Sequence, residues 1–276
     1  MDPNTPRNKP EEDSKVTLRK SLDDAFTAYV HDRHEVAREM YSAIIGTDPG
    51  NEEAFHNPEA RFWRGMVIGH MEEEAAAAED DFSVLLDINP GEDTQHWHAR
   101  GIAGLSFLYF NKGEYNDANH HAQNALREGT NDPLVHCILG DAYWGLGRAN
   151  EAVAEYRQAI DLDNKCFFAQ DSIGFVEWQI VLGKWNKSEK AGKSIDREQR
   201  KEQAHSPIRQ YKRALETRPD YVNALWNLAM GYAKIGDGKR AIARARSILS
   251  YNPDHEGAKD VISTGSTFKL QTPKEE

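Results

Sequence analysis

The sequence predicts an all-α fold, a solenoid of about six stacked helical hairpins with one long insert. Three observations carry that reading. A spelling returns every 34 residues: Leu139-Gly140, Tyr143, Gly147, Ala152, Tyr156 and Ala159 recur upstream as Leu105-Ser106, Tyr109, Gly113, Ala118, Ala122 and Ala125. The same pattern returns downstream as Leu228-Ala229, Tyr232, Gly236, Ala241, Ala245 and Ile248, closing on Pro253. A fixed period of this length is how an array of helix–turn–helix units is written. Within each unit the apolar residues recur at helical spacing and end on Pro or Gly. The hydrophobic content of 39% suits a core two helices thick better than a large closed one.

Taken in order, residues 1–17 read as a disordered lead. A first repeat spans about 18–51, with Leu22, Phe26 and Tyr29 on one helix and Val36, Met40, Ile44 and Ile45 on the next, stopped by Pro49-Gly50. A second spans about 59–92, with Phe62, Met66 and His70 facing Phe82, Leu85 and Leu86; its turn is one residue longer, and Asn89-Pro90-Gly91 closes it. Residues 99–132 and 133–166 follow in unbroken register, and 222–255 forms another repeat. Between them, 167–221 begins with Ile173-Gly174 and ends with Tyr211, Ala214, Leu215 and Pro219, but its turn holds about 21 extra residues. That insert, 183–205, has a second half free of breakers and suited to a short helix. Ser206-Pro207 then restarts the repeat as an N-cap followed by Pro. Residues 256–264 read as a capping helix and 265–276 as a flexible tail.

These residues resemble the tetratricopeptide repeat family over about four-fifths of the chain, most closely at 99–166 and 222–255. The resemblance implies a right-handed superhelix whose first helices line a concave groove. Small residues at repeat position 8 (Ser106, Gly140, Gly174, Ala229) and position 20 (Ala118, Ala152, Ala241) let the paired helices approach closely. Two departures are minor, Thr130 and Asn164 where the family usually has Pro. Glu177 is a larger one, an acid in a packed position that Tyr109, Tyr143 and Tyr232 fill elsewhere; local remodelling by the insert accounts for it.

Projected onto the family's groove positions, the chain presents Phe107 and Phe110, Asp141 and Trp144, Phe168, Asp171, Phe175 and Trp178, then Trp226 and Met230. The rings among them, Phe107, Phe110, Trp144, Phe175, Trp178 and Trp226, are the candidate partner-binding groove. Family members that clamp chaperone C-terminal carboxylates use Lys, Asn and Arg there. Here those positions are apolar or acidic, which argues against that partner.

Net charge is −11. Residues 21–90 carry sixteen acids against four bases, and 183–246 sixteen bases against seven acids. Bulk acidity argues against nonspecific nucleic-acid binding by the whole chain. The insert holds seven of the bases, and Lys184, Trp185, Lys187, Lys190 and Lys193 are candidate contacts for a partner. Trp185 has nothing local to bury it, so it either anchors the insert or meets the partner.

The remaining chemistry reads as structural. His96-Trp97-His98 and His120-His121 lack a metal-ligand spacing. Ala191-Gly192-Lys193-Ser194 ends like a phosphate loop, but Lys187 stands where that loop needs Gly. The acids Glu72–Glu74 and Glu79–Asp81 read as solvated helix faces. Cys137 and Cys166, the only cysteines, read as reduced structural thiols that the hairpin could make neighbours. No catalytic constellation, cofactor motif or metal site emerges. No apolar run approaches the ~18 residues of a membrane span. The first twenty residues hold no apolar signal-type segment, so a cytoplasmic location is expected. The functional expectation is a non-enzymatic adaptor or assembly scaffold that holds a protein segment in an aromatic groove. The alternative is a nucleic-acid-associated protein using the basic 183–246 region.

Overall fold

The computed structural model describes residues 9–46, 57–69, 71, 74–88, 94–128 and 130–264, and these hold fourteen helices and no strand. The expected stops Pro49-Gly50 and Asn89-Pro90-Gly91, His70, Glu72, Glu73 and the tail 265–276 lie outside the described residues. Two compact units result. One comprises the chain to Tyr29 with Arg33–Thr130, the other Val30–Asp32 with the chain from Asn131.

The first unit contains α1 (Lys9–Val30), α2 (His34–Gly46), α3 (Pro58–Ile68), α4 (Ala75–Leu86), α5 (Gln95–Asn111) and α6 (Tyr115–Arg127). Helix α1 starts at Lys9, inside the lead expected to be disordered. Pro10 sits in the first turn, where a missing N–H costs nothing, and no other breaker follows. Asn57 caps α3 by accepting from the Ala60 N–H at 2.9 Å, and Pro58 follows at the first helical position. Helix α3 therefore runs one residue ahead of the expected 59–92 register. Gly65, not Met66, takes the close-approach position, and a methyl added there would lie 2.6 Å from the Phe82 ring. Phe82 is wholly buried, and its ring also covers Gly104 of α5.

One acid overturns the solvated-face expectation. Asp81 is 0% exposed and accepts from Arg64 at 2.7 Å through two nitrogens and from Arg61 at 3.0 Å. The two arginines stand one turn apart on α3, so burial of the carboxylate is offset by charge-assisted hydrogen bonds. Glu74 pairs with Arg38, and Glu79 and Asp80 are exposed.

The second unit contains α7 (Pro133–Gly145), α8 (Ala149–Leu162), α9 (Phe167–Lys190), α10 (Arg197–Gln203), α11 (His205–Thr217), α12 (Val222–Lys234), α13 (Gly238–Tyr251) and α14 (Glu256–Thr264). Helices α7 and α8, α9 and α11, and α12 and α13 pair as hairpins, each stacked on the next, with α14 against α13. Helix α7 starts on Asp132, which accepts from the Leu134 N–H at 3.0 Å, with Pro133 behind it. Gly140 and Gly174 give way to the rings of Tyr156 and Tyr211. The hairpin turn is left-handed wherever the repeat places its glycine, at Gly113 (φ +77°), Gly147 (+73°) and Gly236 (+74°). The first repeat has Asp32 there, at φ +57°.

The insert is built in two ways. Helix α9 runs on past the usual end of a repeat helix to Lys190 and stops on Gly192 at φ +70°. The chain then returns through α10, which opens with a reciprocal capping box between Asp196 and Gln199. Helix α11 begins at His205 with Ala204 at its N-cap, so Ser206-Pro207 occupies the first turn rather than forming the cap.

Candidate functional site

The candidate aromatic residues do not share one environment. In the first unit Phe107 and Phe110 are half-buried. Phe107 packs on the Gly69 backbone, and Phe110 lies 5.5 Å from Tyr115.

In the second unit Trp178 is buried, at 7% exposure, in the core with Ile208, Tyr211 and Tyr232, which removes it from any open groove. The cause is the extension of α9. It brings Trp185 down onto Trp178, edge to face at 5.6 Å. Trp226 is half-buried against the capping helix, with its ring against Gly257 and 5.0 Å from His255.

Trp144 and Phe175 remain. Their rings meet edge to face at 5.8 Å, Trp144 half-buried and Phe175 37% exposed. Two carboxyls flank them. Asp141 lies one turn before Trp144 on α7, and Asp171 one turn before Phe175 on α9. The Tyr156 hydroxyl donates to Asp141 at 2.7 Å and also meets Ser172, so the two helix faces adjoin. Asn227 of α12 donates to both oxygens of Asp171 at 3.1 and 3.3 Å. Burial pushes the Asp141 carboxyl up to about 6 against the pull of Tyr156. Burial pushes Asp171 up to about 7 against the pull of Asn227. The arrangement offers an aromatic step bordered by acceptors that hold their protons unusually well.

The insert splits into an anchor and an exposed row. Trp185 is 4% exposed, donates its indole N–H to Gln203 at 2.7 Å and lies under the Arg200 guanidinium. It anchors the insert to the core and presents little surface. Arg197 ties α10 to the α12–α13 turn by donating to the Gly236 carbonyl at 2.9 Å. Lys184, Lys187, Lys190 and Lys193 stand exposed on the same segment. Glu177 is half-buried, with its Oε2 turned inward beyond reach of any hydrogen-bond donor.

The histidines have structural partners. His121 stacks on Tyr109 at 4.9 Å, His120 meets Asn124 and His98 faces Glu128. Among the described residues no group of three or more His, Cys, Asp or Glu gathers to hold a metal, and no helix is long and apolar enough to cross a membrane.

Residues 135–166, most of the α7–α8 hairpin, match the tetratricopeptide repeat family model. The chain thus carries a tetratricopeptide-type repeat at 135–166. Solved structures of similar fold include YrrB, described as a repeat protein of this family with an unusual peptide-binding site. It is 17% identical over 77% of this chain and 95% of its own, with a TM-score of 0.42. MamA is 17% identical over 70% and 97%, also at 0.42. The C-terminal part of a repeat-containing protein from Cytophaga hutchinsonii is 15% identical over 92% and 91%, again at 0.42. No curated protein matches the sequence. The matched hairpin is the one that carries Asp141 and Trp144.

Sequence reasoning placed Asp141 and Asp171 on the candidate face but missed their partners. Tyr156 was visible only as a packing residue, and Asn227 had no signal, because its contact joins helices from different repeats.

Proposed function

We propose that this protein is a non-enzymatic protein-binding module, an adaptor or assembly scaffold, that holds a partner segment against the face formed by Asp141, Trp144, Asp171 and Phe175. The observation that carries the reading is the Trp144–Phe175 pair, an edge-to-face couple with Phe175 exposed, on a helix face where Trp178 is covered and Trp226 partly so. Rings held by rigid helices bind with little ordering cost, and such rings dominate interface energies. The test is quantitative affinity purification of the tagged full chain from its own cells, comparing wild type with Trp144→Ala/Phe175→Ala. Partners that depend on this face drop from the variant while its circular dichroism stays helical. An identical partner set from a folded double variant would contradict the proposal.

The exposed row Lys184, Lys187, Lys190 and Lys193 favours a second reading, association with nucleic acid through the basic 183–246 region. That reading expects binding to a mixed-sequence oligonucleotide that weakens steeply with salt and is lost on Lys→Glu changes in the row. Absence of oligonucleotide binding at low salt would eliminate it.

A further inference from the structure

The two cysteines are brought together by the fold, though 29 residues separate them in the chain. Cys137 lies in the second turn of α7, and Cys166 is the N-cap residue of α9, on the far side of α8. Their sulfurs are 3.7 Å apart, and each residue is 6% exposed. Around them pack Ala152, Tyr156, Ala159, Ala169 and Ile173, so the pair is held by both neighbouring hairpins. We propose that Cys137 and Cys166 form a modification site, a dithiol that a peroxide converts reversibly to an intramolecular disulfide.

The chemistry follows from the unequal surroundings of the two thiols. Either sulfur can donate in their shared hydrogen bond, and that bond holds Cys166, at the N-terminus of α9, below the usual thiol range against the opposing effect of burial. The same hydrogen bond, with burial, pushes Cys137 up. Cys166, whose sulfur sits at the helix N-terminus where a thiolate is favoured, is assigned as the attacking sulfur. Its thiolate takes one oxygen of hydrogen peroxide, breaking the O–O bond and releasing hydroxide, and becomes a sulfenic acid. Cys137 then attacks the Cys166 sulfur, its proton leaves with the hydroxyl as water, and the S–S bond forms. Two thiols and one peroxide give one disulfide and two waters. The sulfurs need only close from 3.7 Å to about 2.05 Å, within reach of small side-chain adjustments.

The bond would tie α7 to the start of α9 across α8. The helices carrying Trp144 and Phe175 could then no longer part, and the site stands whether or not those rings bind a partner. A crosslink of this kind acts mainly by restricting the open and unfolded states, so its signature is slower opening of α7–α9.

The experiment treats the native full-length chain with hydrogen peroxide and follows free thiols, intact mass and disulfide-mapped peptides. The expected result is loss of both thiols, loss of two hydrogen masses and a Cys137–Cys166 crosslink within one chain. Dithiothreitol reverses it, and hydrogen exchange across α7–α9 slows in the oxidised form. Cys137→Ser should stop at a Cys166 sulfenic acid, one oxygen heavier and trapped by dimedone, while Cys166→Ser leaves Cys137 reduced over the same time. Retention of both thiols under peroxide that oxidises the unfolded chain would overturn the proposal. So would gain of oxygen without a crosslink, or a crosslink between two chains. Equal oxidation of Cys137 in Cys166→Ser would overturn the assignment of the attacking sulfur.

Discussion

Gly140 and Gly147 belong to one repeat and are glycine for different physical reasons. A methyl at Gly140 would lie 2.4 Å from the Tyr156 ring, whereas one at Gly147 would meet nothing within 4 Å. Gly147 is needed for its backbone, at φ +73°. Gly147→Ala should therefore cost about 1 kcal/mol from backbone strain alone and leave the near-ultraviolet signal of the tyrosines unchanged. Gly140→Ala should cost about 1–3 kcal/mol by overpacking and disturb that signal. The repeat at 222–255 solves the same contact with Ala229 and Ala245. In a Tyr156→Ala background, then, Gly140→Ala should turn neutral or stabilising in chemical denaturation. Equal costs in both backgrounds would refute the pairing.

Asp171 supplies a pH test at the same scale. Its folded pKa, about 7, lies above the ordinary value of 3.8. The folded state therefore holds the proton more tightly than the unfolded state. Its relative stability is greatest below pH 4 and falls as pH rises through about 7. Asp171→Asn keeps an acceptor for Asn227 and cannot ionise. Its melting temperature relative to wild type should rise between about pH 4 and 7 and then level off. A difference that stays flat across that range would contradict the burial argument.

These residue-scale features were unequally legible. The left-handed turns follow from the 34-residue period, which also places Asp32 at the turn of the first repeat. Asp81 was not legible as buried. An acid on a helix reads as solvated unless one knows that Arg61 and Arg64 converge on it from another helix.

At the scale of the element, the insert shows how a sequence pattern can be extended without being broken. A short helix was legible in its second half, and α10 occupies Arg197–Gln203. The continuation of α9 to Lys190 was not, because Gly183 interrupts the helical run and the lysines carry no apolar stripe. What holds the extension is Trp185, packed on Trp178 and bonded to Gln203. Trp185→Ala should cost about 3–5 kcal/mol by opening a cavity in that core. Gly183 is mid-helix, and nothing lies within 4 Å of its added methyl. Gly183→Ala should therefore stabilise by about 0.5–1 kcal/mol. Alanine at Lys184, Lys187, Lys190 and Lys193 should leave stability within about 0.5 kcal/mol at each site. Urea denaturation of the full chain measures all three classes. A silent Trp185→Ala would mean the insert is not anchored as described.

At the scale of the whole molecule, the repeat period made the helical-hairpin fold legible, because each hairpin is specified by a few small and aromatic residues at set offsets. The candidate site was legible only in outline. Projection selected six rings, but exposure is decided by what other repeats and the insert lay over them. In the second unit that process covered Trp178 and partly covered Trp226, leaving Trp144 and Phe175, while Phe107 and Phe110 of the first unit are half-buried. The acidic stretch 21–90 and basic stretch 183–246 set the field in which a partner approaches, and they act on rate and salt dependence more than on the fold.

The central claim, that the Trp144–Phe175 face holds a peptide segment, is tested most directly by selecting from a displayed random-peptide library on the full chain. The Trp144→Ala/Phe175→Ala chain serves as counter-selection, and the enriched peptide is then titrated against both. The account expects a recurring sequence whose affinity falls by about 1–3 kcal/mol, roughly 5- to 150-fold, in the folded double variant. No recurring sequence, or one that binds both chains equally, would contradict it.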